Sequence, residues 1–242
     1  MRVLSRVMGQ KRAISPPQGG RVLTVTSEKG GSGKTTLSVI LAAYAVAAGD
    51  FKRVLLIDAD PRQISSGWHA IASSRGDAQQ LPDVIAARSG LARTIDRQRQ
   101  HYDLVVVDTA PADCAGGPLD RIVADSINAA TLVVVPVCPG LDVWGLATLA
   151  RRIGSRPSLY VLNQYNPRIR GDREVKKALE EGNLRVARTT LARRAIFRTS
   201  LLHGSTPTLE ESTRPSHVNA SSEICDLWGE IARMGVKNAH AA

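Results

Sequence analysis

The chain has few cysteines and few aromatic residues, and it has no long apolar run. Its 242 residues include 3 Cys, and aromatic residues make up 4% of the chain. Cys114, Cys138 and Cys225 form no C-x-x-C pair, which argues against a disulfide framework and a cysteine-ligated cluster. No apolar run approaches the roughly 20 residues of a transmembrane helix. Residues 1–20 lack the apolar core and cleavage site of a secretory signal, so we expect a cytoplasmic protein.

Positive charge is in excess, and most of it lies in one segment. The formal net charge is +10. Residues 151–198 contain 13 basic and 4 acidic residues, whereas residues 21–150 contain 12 and 13. Residues 1–20 add 4 basic residues and no acidic ones. This distribution favours a small ligand in the first half and a polyanionic partner for the basic block.

Short apolar runs alternate with helical patterns along the chain. Runs typical of strands buried on both faces occur at 22–26, 54–57, 104–107, 131–135 and 159–162. Between the first two, apolar residues recur at helical spacing from Leu37 to Ala48. We predict an α/β fold over 21–242, a doubly wound, mostly parallel sheet with helices on both faces. A flexible basic arm is predicted over 1–20.

The strongest motif lies directly between a predicted strand and a predicted helix. Residues 28–36 read Glu-Lys-Gly-Gly-Ser-Gly-Lys-Thr-Thr. Glycines let backbone N–H groups turn toward phosphate oxygens, the helix N-terminus adds a favourable dipole, and a lysine supplies charge for the β- and γ-phosphates. The next hydroxyl can bind Mg²⁺. The pattern predicts a nucleoside triphosphate site made of Gly30, Gly31, Ser32, Gly33, Lys34, Thr35 and Thr36.

The loop departs from the general G-x-x-x-x-G-K-[ST] pattern because Glu28 stands at the first glycine position. Its K-G-G-x-G-K-T-T sequence resembles the deviant Walker A motif of the ParA and MinD ATPases. In that family the first lysine, here Lys29, reaches across a nucleotide-sandwich dimer to the partner's phosphates. The resemblance implies a P-loop NTPase fold, weak ATPase activity and an ATP-dependent homodimer, with Lys29 and Lys34 among the catalytic residues.

Two other predicted strands end in carboxylates. Asp58 and Asp60 share one side of the pleat, and Asp108 ends a later strand, so all three would meet a ligand at the carboxyl edge of the sheet. They resemble the family's switch I segment, D-x-D-P, and its Walker B strand. By that resemblance Asp60 positions the attacking water, although Arg62 and Gln63 follow where the family usually has Gln and Gly. The implied magnesium ligands are Thr35, Asp58 and Asp108.

Recognition of the base rests on weaker signals. The sequence contains no N-K-x-D or T-K-x-D guanine signature, which favours adenine. Asn163 matches the family's asparagine at the adenine edge, and residues 136–140 resemble its base-flanking loop. A strand-end turn is the alternative role for Asn163. The expected cofactors are therefore ATP and Mg²⁺.

The basic block includes a predicted helix over 172–182, with Asp172 as its N-cap and Gly182 as its stop. Its basic side chains lie opposite an apolar stripe and are suited to phosphate contacts that do not depend on sequence. A solvated basic face without a partner is the alternative. In the family this stretch does carry non-specific DNA contacts. The candidates are Arg168, Arg170, Arg173, Lys176, Lys177 and Arg194.

A last apolar stripe lies near the carboxyl end, at Ile224, Leu227, Trp228, Ile231 and Met234. MinD-like proteins end in a membrane-binding amphipathic helix. Here the polar face is acidic and would be repelled by anionic lipid. We therefore expect the stripe to pack in the core and expect no membrane partner.

The resemblance covers residues 21–235 and is to ParA-type partition ATPases without an N-terminal helix-turn-helix domain. It implies an ATP-bound dimer on nucleoid DNA, released when a ParB-like centromere-binding or adaptor protein stimulates hydrolysis, and so segregation of a plasmid or chromosome. Two alternatives remain open. One is an ATP-switched positioner of another cargo, such as a carboxysome, pilus or chemoreceptor array. The other is a metabolic P-loop amidoligase or synthetase, which would not explain the basic block.

Overall fold

The computed structural model describes residues 19–76, 81–87, 89–111, 117–140 and 145–236. Its strands are β1 (Arg21–Val25), β2 (Val54–Ala59), β3 (Asp83–Ala86), β4 (Leu104–Thr109), β5 (Leu132–Val137), β6 (Ser158–Tyr165) and β7 (Leu191–Ala192). Its helices are α1 (Lys34–Ala47), α2 (Ile64–Ser74), α3 (Leu91–Gln98), α4 (Pro118–Ala129), α5 (Leu146–Ile153), α6 (Arg170–Glu181), α7 (Ile196–Leu202) and α8 (Pro215–Ile231). A turn at Ala232–Val236 follows α8, and the backbone leaves the helical conformation there at Met234 and Gly235.

The described strands form one parallel sheet with an apolar core on each face. The strand order is β3-β2-β4-β1-β5-β6-β7. Successive strand residues enter opposite cores, so that Leu23 packs with α1, α2, α7 and α8, whereas Val22 packs on the face covered by α3 and α4. Helices α4, α5 and α6 complete that second face. Because both faces are buried, the strands read as continuous apolar runs, and the predicted doubly wound fold is confirmed.

The position of β1 determines where a ligand can bind. This strand pairs with β4 on one side and with β5 on the other. The chain leaves β1 toward β2 on the β4 side and later crosses from β4 to β5, so the direction of winding reverses here. Open α/β sheets bind ligands at the carboxyl edge of such a reversal. The loop over 28–33 follows β1 directly and lies at this edge.

The predicted N-cap role of Asp172 is wrong. Helix α6 begins at Arg170, and Asp172 lies within its first turn. A turn in which Ile169 N donates to Asn166 O at 3.0 Å leads into the helix and places its N-cap at Ile169, three residues earlier than predicted. The buried Asp172 carboxylate accepts a hydrogen bond from Asn166 N at 2.7 Å. It therefore fixes the loop before the helix, as an acidic residue inside a first turn can.

The carboxyl-terminal stripe packs in the core, as predicted. Ile224, Leu227 and Ile231 of α8 are fully buried. The indole of Trp228 donates to Asp50 Oδ2 at 2.6 Å and so ties α8 to the turn after α1. No helix among the described residues has both the length and the apolar character needed to cross a bilayer. The predicted arm falls almost entirely at residues 1–18, which lie outside the described residues.

Candidate functional site

The loop after β1 wraps around the side chain of Lys34. Gly31 and Gly33 adopt left-handed conformations, with φ of 83° and 93°, which favour glycine. The Lys34 ammonium is buried and donates to Ser27 Oγ at 3.1 Å and to the carbonyl of Lys29 at 3.0 Å. Phosphate oxygens carry far more negative charge than these two acceptors and would compete for the same ammonium. The loop and the helix N-terminus behind it therefore suit a polyphosphate.

The predicted loop residues divide between the interior and the surface. Ser32 is buried, and its hydroxyl forms a hydrogen bond with that of Ser27. The side chain of Lys29 is exposed, as are Gly30 and Gly31. The conformation thus presents the backbone of the loop and one lysine to the outside, while the second lysine stays inside.

The structure brings Asp58 and Asp108 together at the edge of the sheet. They are paired in register on the neighbouring strands β2 and β4. Asp108 is fully buried, and burial raises its pKa to about 7, although hydroxyl groups donate to it. Those donors are Thr35, Ser38 at 3.2 Å and Ser65 at 2.8 Å.

These residues suit a divalent cation. The described residues contain no cluster of three or more His, Cys, Asp or Glu of the kind that forms a complete metal cage. Mg²⁺ is usually held by one or two carboxylates together with substrate phosphates and water. The Asp58 and Asp108 carboxylates and the Thr35 hydroxyl fit that donor set. A buried carboxylate whose pKa is raised also gains stability from a nearby cation.

Sequence reasoning missed the serines that orient these acids. Ser66 donates to Asp58 Oδ2 through its backbone N–H at 2.9 Å and through its hydroxyl at 2.8 Å. Ser38 lies one helical turn after Lys34, and Ser65 and Ser66 lie in the first turn of α2. The K-T-T-L-S spacing after the loop could have indicated Ser38, whereas the positions of the α2 serines depend on how that helix packs.

Asp60 is held by Arg62. Arg62 donates to Asp60 Oδ1 from its backbone N–H at 2.9 Å and from Nε at 3.2 Å, and to Oδ2 from Nη2 at 2.9 Å. Burial alone would raise the pKa of Asp60, but the Arg62 hydrogen bonds and charge outweigh burial and bring that pKa below its ordinary value of 3.8. The residue that departs from the family pattern is thus the one that contacts the predicted catalytic carboxylate.

Asn163 closes the other side of the loop. Its Nδ2 donates to the Ser32 carbonyl at 2.7 Å, and the following Gln164, at φ 56°, donates from Nε2 to the Gly31 carbonyl at 3.2 Å. A Cβ on Gly33 would lie 2.2 Å from Asn163 Nδ2, so only glycine allows this approach. Asn163 therefore lies at the predicted site, and Gln164 is a contact that the sequence did not indicate.

A cavity of about 720 Å³ opens beside the loop. Its apolar wall is formed by Leu37, Ile40 and Phe197, and its polar rim includes Asn163. Basic side chains also line it, at Lys34, Arg62, Arg193, Arg194 and Arg198. A cleft of this size with an apolar wall and a positively charged lining suits an anionic ligand the size of a nucleotide.

The predicted DNA-binding residues do not form one uniform basic patch. Arg194 lines the cavity beside the loop and forms an ion pair with Glu223 at 2.6 Å. The other five candidates lie on α6 or the loop before it. There Arg170 pairs with Glu174 at 2.7 Å, and Lys177 pairs with Glu181 at 3.6 Å.

The sequence matches one described family and several curated proteins. The CbiA family, described as the CobQ/CobB/MinD/ParA nucleotide binding domain, matches residues 23–207. The chain is 31% identical over 191 residues to maintenance of carboxysome distribution protein A of Halothiobacillus neapolitanus, covering 75% of this chain and 84% of the relative. It is 37% identical over 167 residues to the protein of that name from Gloeobacter kilaueensis, covering 66% and 71%. The sporulation initiation inhibitor protein Soj of Bacillus subtilis is 26% identical over 174 residues, covering 55% and 65%.

Solved structures share the architecture at low sequence identity. MinD from Pyrococcus horikoshii, in complex with Mg-ADP, has a TM-score of 0.63 at 18% identity and covers 89% of this chain and 97% of its own. A variant of Cyanothece McdA, in complex with ATP, has a TM-score of 0.63 at 14% identity and covers 92% and 99%. At these identities the similarity establishes a common fold.

Proposed function

Because the chain belongs to the CobQ/CobB/MinD/ParA family of nucleotide-binding domains, as a ParA/MinD-type member, we propose that it binds Mg-ATP and hydrolyses it slowly to position a cargo. The observation that carries this proposal is the enclosed Lys34 ammonium beside the buried Asp58 and Asp108 carboxylates. Neighbours of the same fold were solved with Mg-ADP and with ATP, which supports the choice of ligand.

Each residue of the site then has a definite task. The loop amides and Lys34 bind the phosphates, and Thr35, Asp58 and Asp108 hold Mg²⁺. When bound, Mg²⁺ supplies positive charge that offsets the charge on the transferred phosphoryl group. Asp60 orients the attacking water through its carboxylate. Asn163 lies where it can contact the base.

We also propose that ATP joins two copies of the chain. Lys29 is exposed at the rim of the loop, whereas Lys34 is buried beneath it. An exposed lysine beside a polyphosphate site is free to reach phosphates bound by a second copy. ATP would therefore switch the chain between a monomer and a dimer, and slow hydrolysis would set how long the dimer lasts.

The relatives favour a protein cargo over a plasmid. Two relatives, 31% and 37% identical over 75% and 66% of this chain, are named for the maintenance of carboxysome distribution. We therefore place ATP-switched positioning of a large protein assembly, with an adaptor that stimulates hydrolysis, ahead of plasmid partition. Chromosome or plasmid segregation with a ParB-like partner is the second candidate, supported by the similarity to Soj.

Either function needs a large surface to which the ATP-bound chain binds reversibly. We propose that this surface is the double-stranded DNA of the nucleoid. Helix α6 carries four basic and four acidic residues, so its charges balance. Residues 182–198, by contrast, contain five basic residues and no acidic ones. Arg185 and Arg188 of that segment are exposed. Two basic regions, on α6 and after it, are therefore the candidate contacts for DNA phosphates.

Binding to random-sequence duplex DNA, with ATP compared with ADP, tests this proposal. We expect retention with ATP only, and loss of both ATP and DNA binding in Lys34→Gln. A variant with Arg173→Glu, Lys176→Glu and Lys177→Glu should keep ATP binding and release DNA at low salt.

Two results would change or contradict the DNA proposal. If that α6 variant keeps DNA while Arg185→Glu with Arg188→Glu releases it, the surface is the 182–198 segment. Equal retention with ADP and ATP, or retention by all the variants, contradicts a nucleotide-controlled DNA surface. Normal Mg-ATP binding by Lys34→Gln contradicts the assignment of the loop.

A further inference from the structure

Arg62 combines exposure with a bidentate grip on a buried acid. The Arg62 side chain is 57% exposed, whereas that of Asp60 is 4% exposed. Nη2 and Nε of Arg62 each donate to a different oxygen of the Asp60 carboxylate. Three of the roughly four lone-pair positions of this carboxylate are thus occupied by Arg62 donors, including its backbone N–H. Little acceptor capacity is left for a water molecule.

Arg62 also lies at the cavity beside the phosphate loop. Arg62 lines the cavity together with Gly31, Lys34 and Thr35. The planar guanidinium fork matches the geometry of a phosphate as well as that of a carboxylate, and a phosphate carries more negative charge. A terminal phosphate near the loop would therefore compete with Asp60 for Arg62.

We propose that Arg62 senses the γ-phosphate by exchanging Asp60 for it, an inference that rests on the proposed binding of Mg-ATP. The bond from the Arg62 backbone N–H to Asp60 Oδ1 does not involve the guanidinium, so Asp60 keeps its orientation after the exchange. With a triphosphate bound, Asp60 becomes free to accept a hydrogen bond from water. With a diphosphate bound, the Arg62–Asp60 pair stays closed.

The exchange has a thermodynamic signature that requires no turnover. If Asp60 and the γ-phosphate compete for Arg62, removing Asp60 strengthens triphosphate binding in part by releasing Arg62. That part disappears when Arg62 is absent. ADP, which lacks the γ-phosphate, should show neither effect. We therefore expect the effects of the two substitutions on triphosphate binding to be coupled, and their effects on diphosphate binding to be independent.

Calorimetric titration with ADP and with a non-hydrolysable ATP analogue, both with Mg²⁺, measures this coupling. The variants are Arg62→Gln, Asp60→Ala and the double variant. We expect Arg62→Gln to lower the preference for the ATP analogue over ADP at least fivefold. We expect Asp60→Ala to raise the affinity for the analogue in both backgrounds, with Arg62 present and with Gln in its place. The fold-increase should be at least five times larger when Arg62 is present.

Arg198→Gln is the matched control. Arg198 is exposed and lines the same cavity, so the control removes one positive charge from the lining of that cavity. It should change the affinities for ADP and for the analogue by similar factors. An equal loss of preference in Arg198→Gln would mean that bulk charge, and not Arg62, reads the γ-phosphate, and would overturn the proposal.

Failure of this inference can be told apart from failure of the proposed function. If the unmodified chain binds neither nucleotide, the proposed function fails and the sensor falls with it. If the unmodified chain binds both and the effects of the two substitutions add, Arg62 is a structural partner of Asp60 and only the sensor is overturned. If the single variant Arg62→Gln does not fold, the Asp60→Ala chain can be compared with the double variant. Both of these chains lack the buried Asp60 carboxylate, so neither leaves it without a partner. The difference between them still measures how much Arg62 contributes to the preference for the ATP analogue over ADP.

Discussion

At the scale of single residues, the site keeps a carboxylate in a place that is unfavourable for its charge. Asp108 has no exposed surface, and burial raises its pKa to about 7. Ser38 and Ser65 donate to its two oxygens, which recovers part of the lost hydration. Such a residue lowers the stability of the folded chain and strengthens the binding of a cation. We infer that the acid is kept at this position because it helps to hold Mg²⁺ in the proposed function.

Asp108→Asn tests whether this residue lowers the stability of the folded chain while strengthening the binding of a cation. The substitution keeps the shape of the side chain and removes the buried charge, so we expect the free chain to be as stable as the parent or more stable. Mg-ATP should raise its melting temperature by much less than it raises that of the parent. Thermal unfolding with and without Mg-ATP measures both effects.

Asp103→Asn is the control for that substitution. Asp103 immediately precedes the opposite end of β4 and forms a partly exposed ion pair with Arg53 at 3.0 Å, and its Oδ2 also accepts a hydrogen bond from Arg53 N at 3.0 Å. We therefore expect Asp103→Asn to lower the stability slightly and to leave the rise in melting temperature with Mg-ATP close to that of the parent. A free Asp108→Asn chain that is strongly destabilised would show that Asp108 has a structural role.

At the scale of elements, α8 holds the wall of the cavity in place. Strand β7 has only two residues, too few to be stable by its own pairing. Glu230 of α8 accepts hydrogen bonds from Arg188 N at 2.9 Å and from Thr189 N at 2.8 Å. Glu223, one further acid of α8, accepts from Ala192 N at 3.1 Å. The acidic face of α8, which argued against a membrane helix, therefore holds β7 and the residues just before it in place through Glu223 and Glu230.

Glu230→Gln should remove a pH-dependent part of the stability. Burial would raise the pKa of Glu230, but hydrogen bonds from Thr189 and Arg188 lower it from its ordinary value of 4.5. A group with a lowered pKa contributes stability above its ordinary value, and that contribution is lost as the pH falls through the folded-state pKa. The difference in unfolding free energy between the parent and Glu230→Gln should therefore be largest above pH 4.5 and shrink at lower pH.

Denaturant unfolding at a series of pH values checks this, with Glu211→Gln as the control. Glu211 is exposed, so its substitution should leave the curve unchanged. A difference between the parent and Glu230→Gln that stays constant across the pH range would contradict the assigned role of this carboxylate.

At the scale of the whole molecule, the sequence predicts the sheet and the phosphate loop better than the side-chain contacts between distant residues. The parallel sheet was predictable because buried strands show as continuous runs, and the loop at Lys34 because phosphate binding constrains glycine and lysine spacing. Strand β7 was not predictable, because two residues show no periodicity. The hydrogen bond from Thr189 N to Glu230, which supports this region, joins residues 41 positions apart. Arg62 and Asp60 are only two positions apart in the sequence, but only the structure shows that the guanidinium turns back to bind the carboxylate.

The extent of the basic surface also needed the fold and the charge balance together. The block over 151–198 is strongly basic as a whole. Within it, α6 is balanced by its own acids, and Arg194 is engaged with Glu223 beside the cavity. Net charge over the whole block therefore does not separate α6, whose charges balance, from the segment 182–198, which has basic residues only.

The mass of the chain in solution shows whether a triphosphate bound at Lys34 joins two copies of the chain. Light scattering should give a monomer with Mg-ADP and a dimer with a non-hydrolysable Mg-ATP analogue. Lys29→Ala should bind the analogue and remain monomeric, because its loop is intact and only the exposed lysine is missing. A parent chain that is saturated with the analogue by calorimetry and still has the mass of one copy would contradict the account.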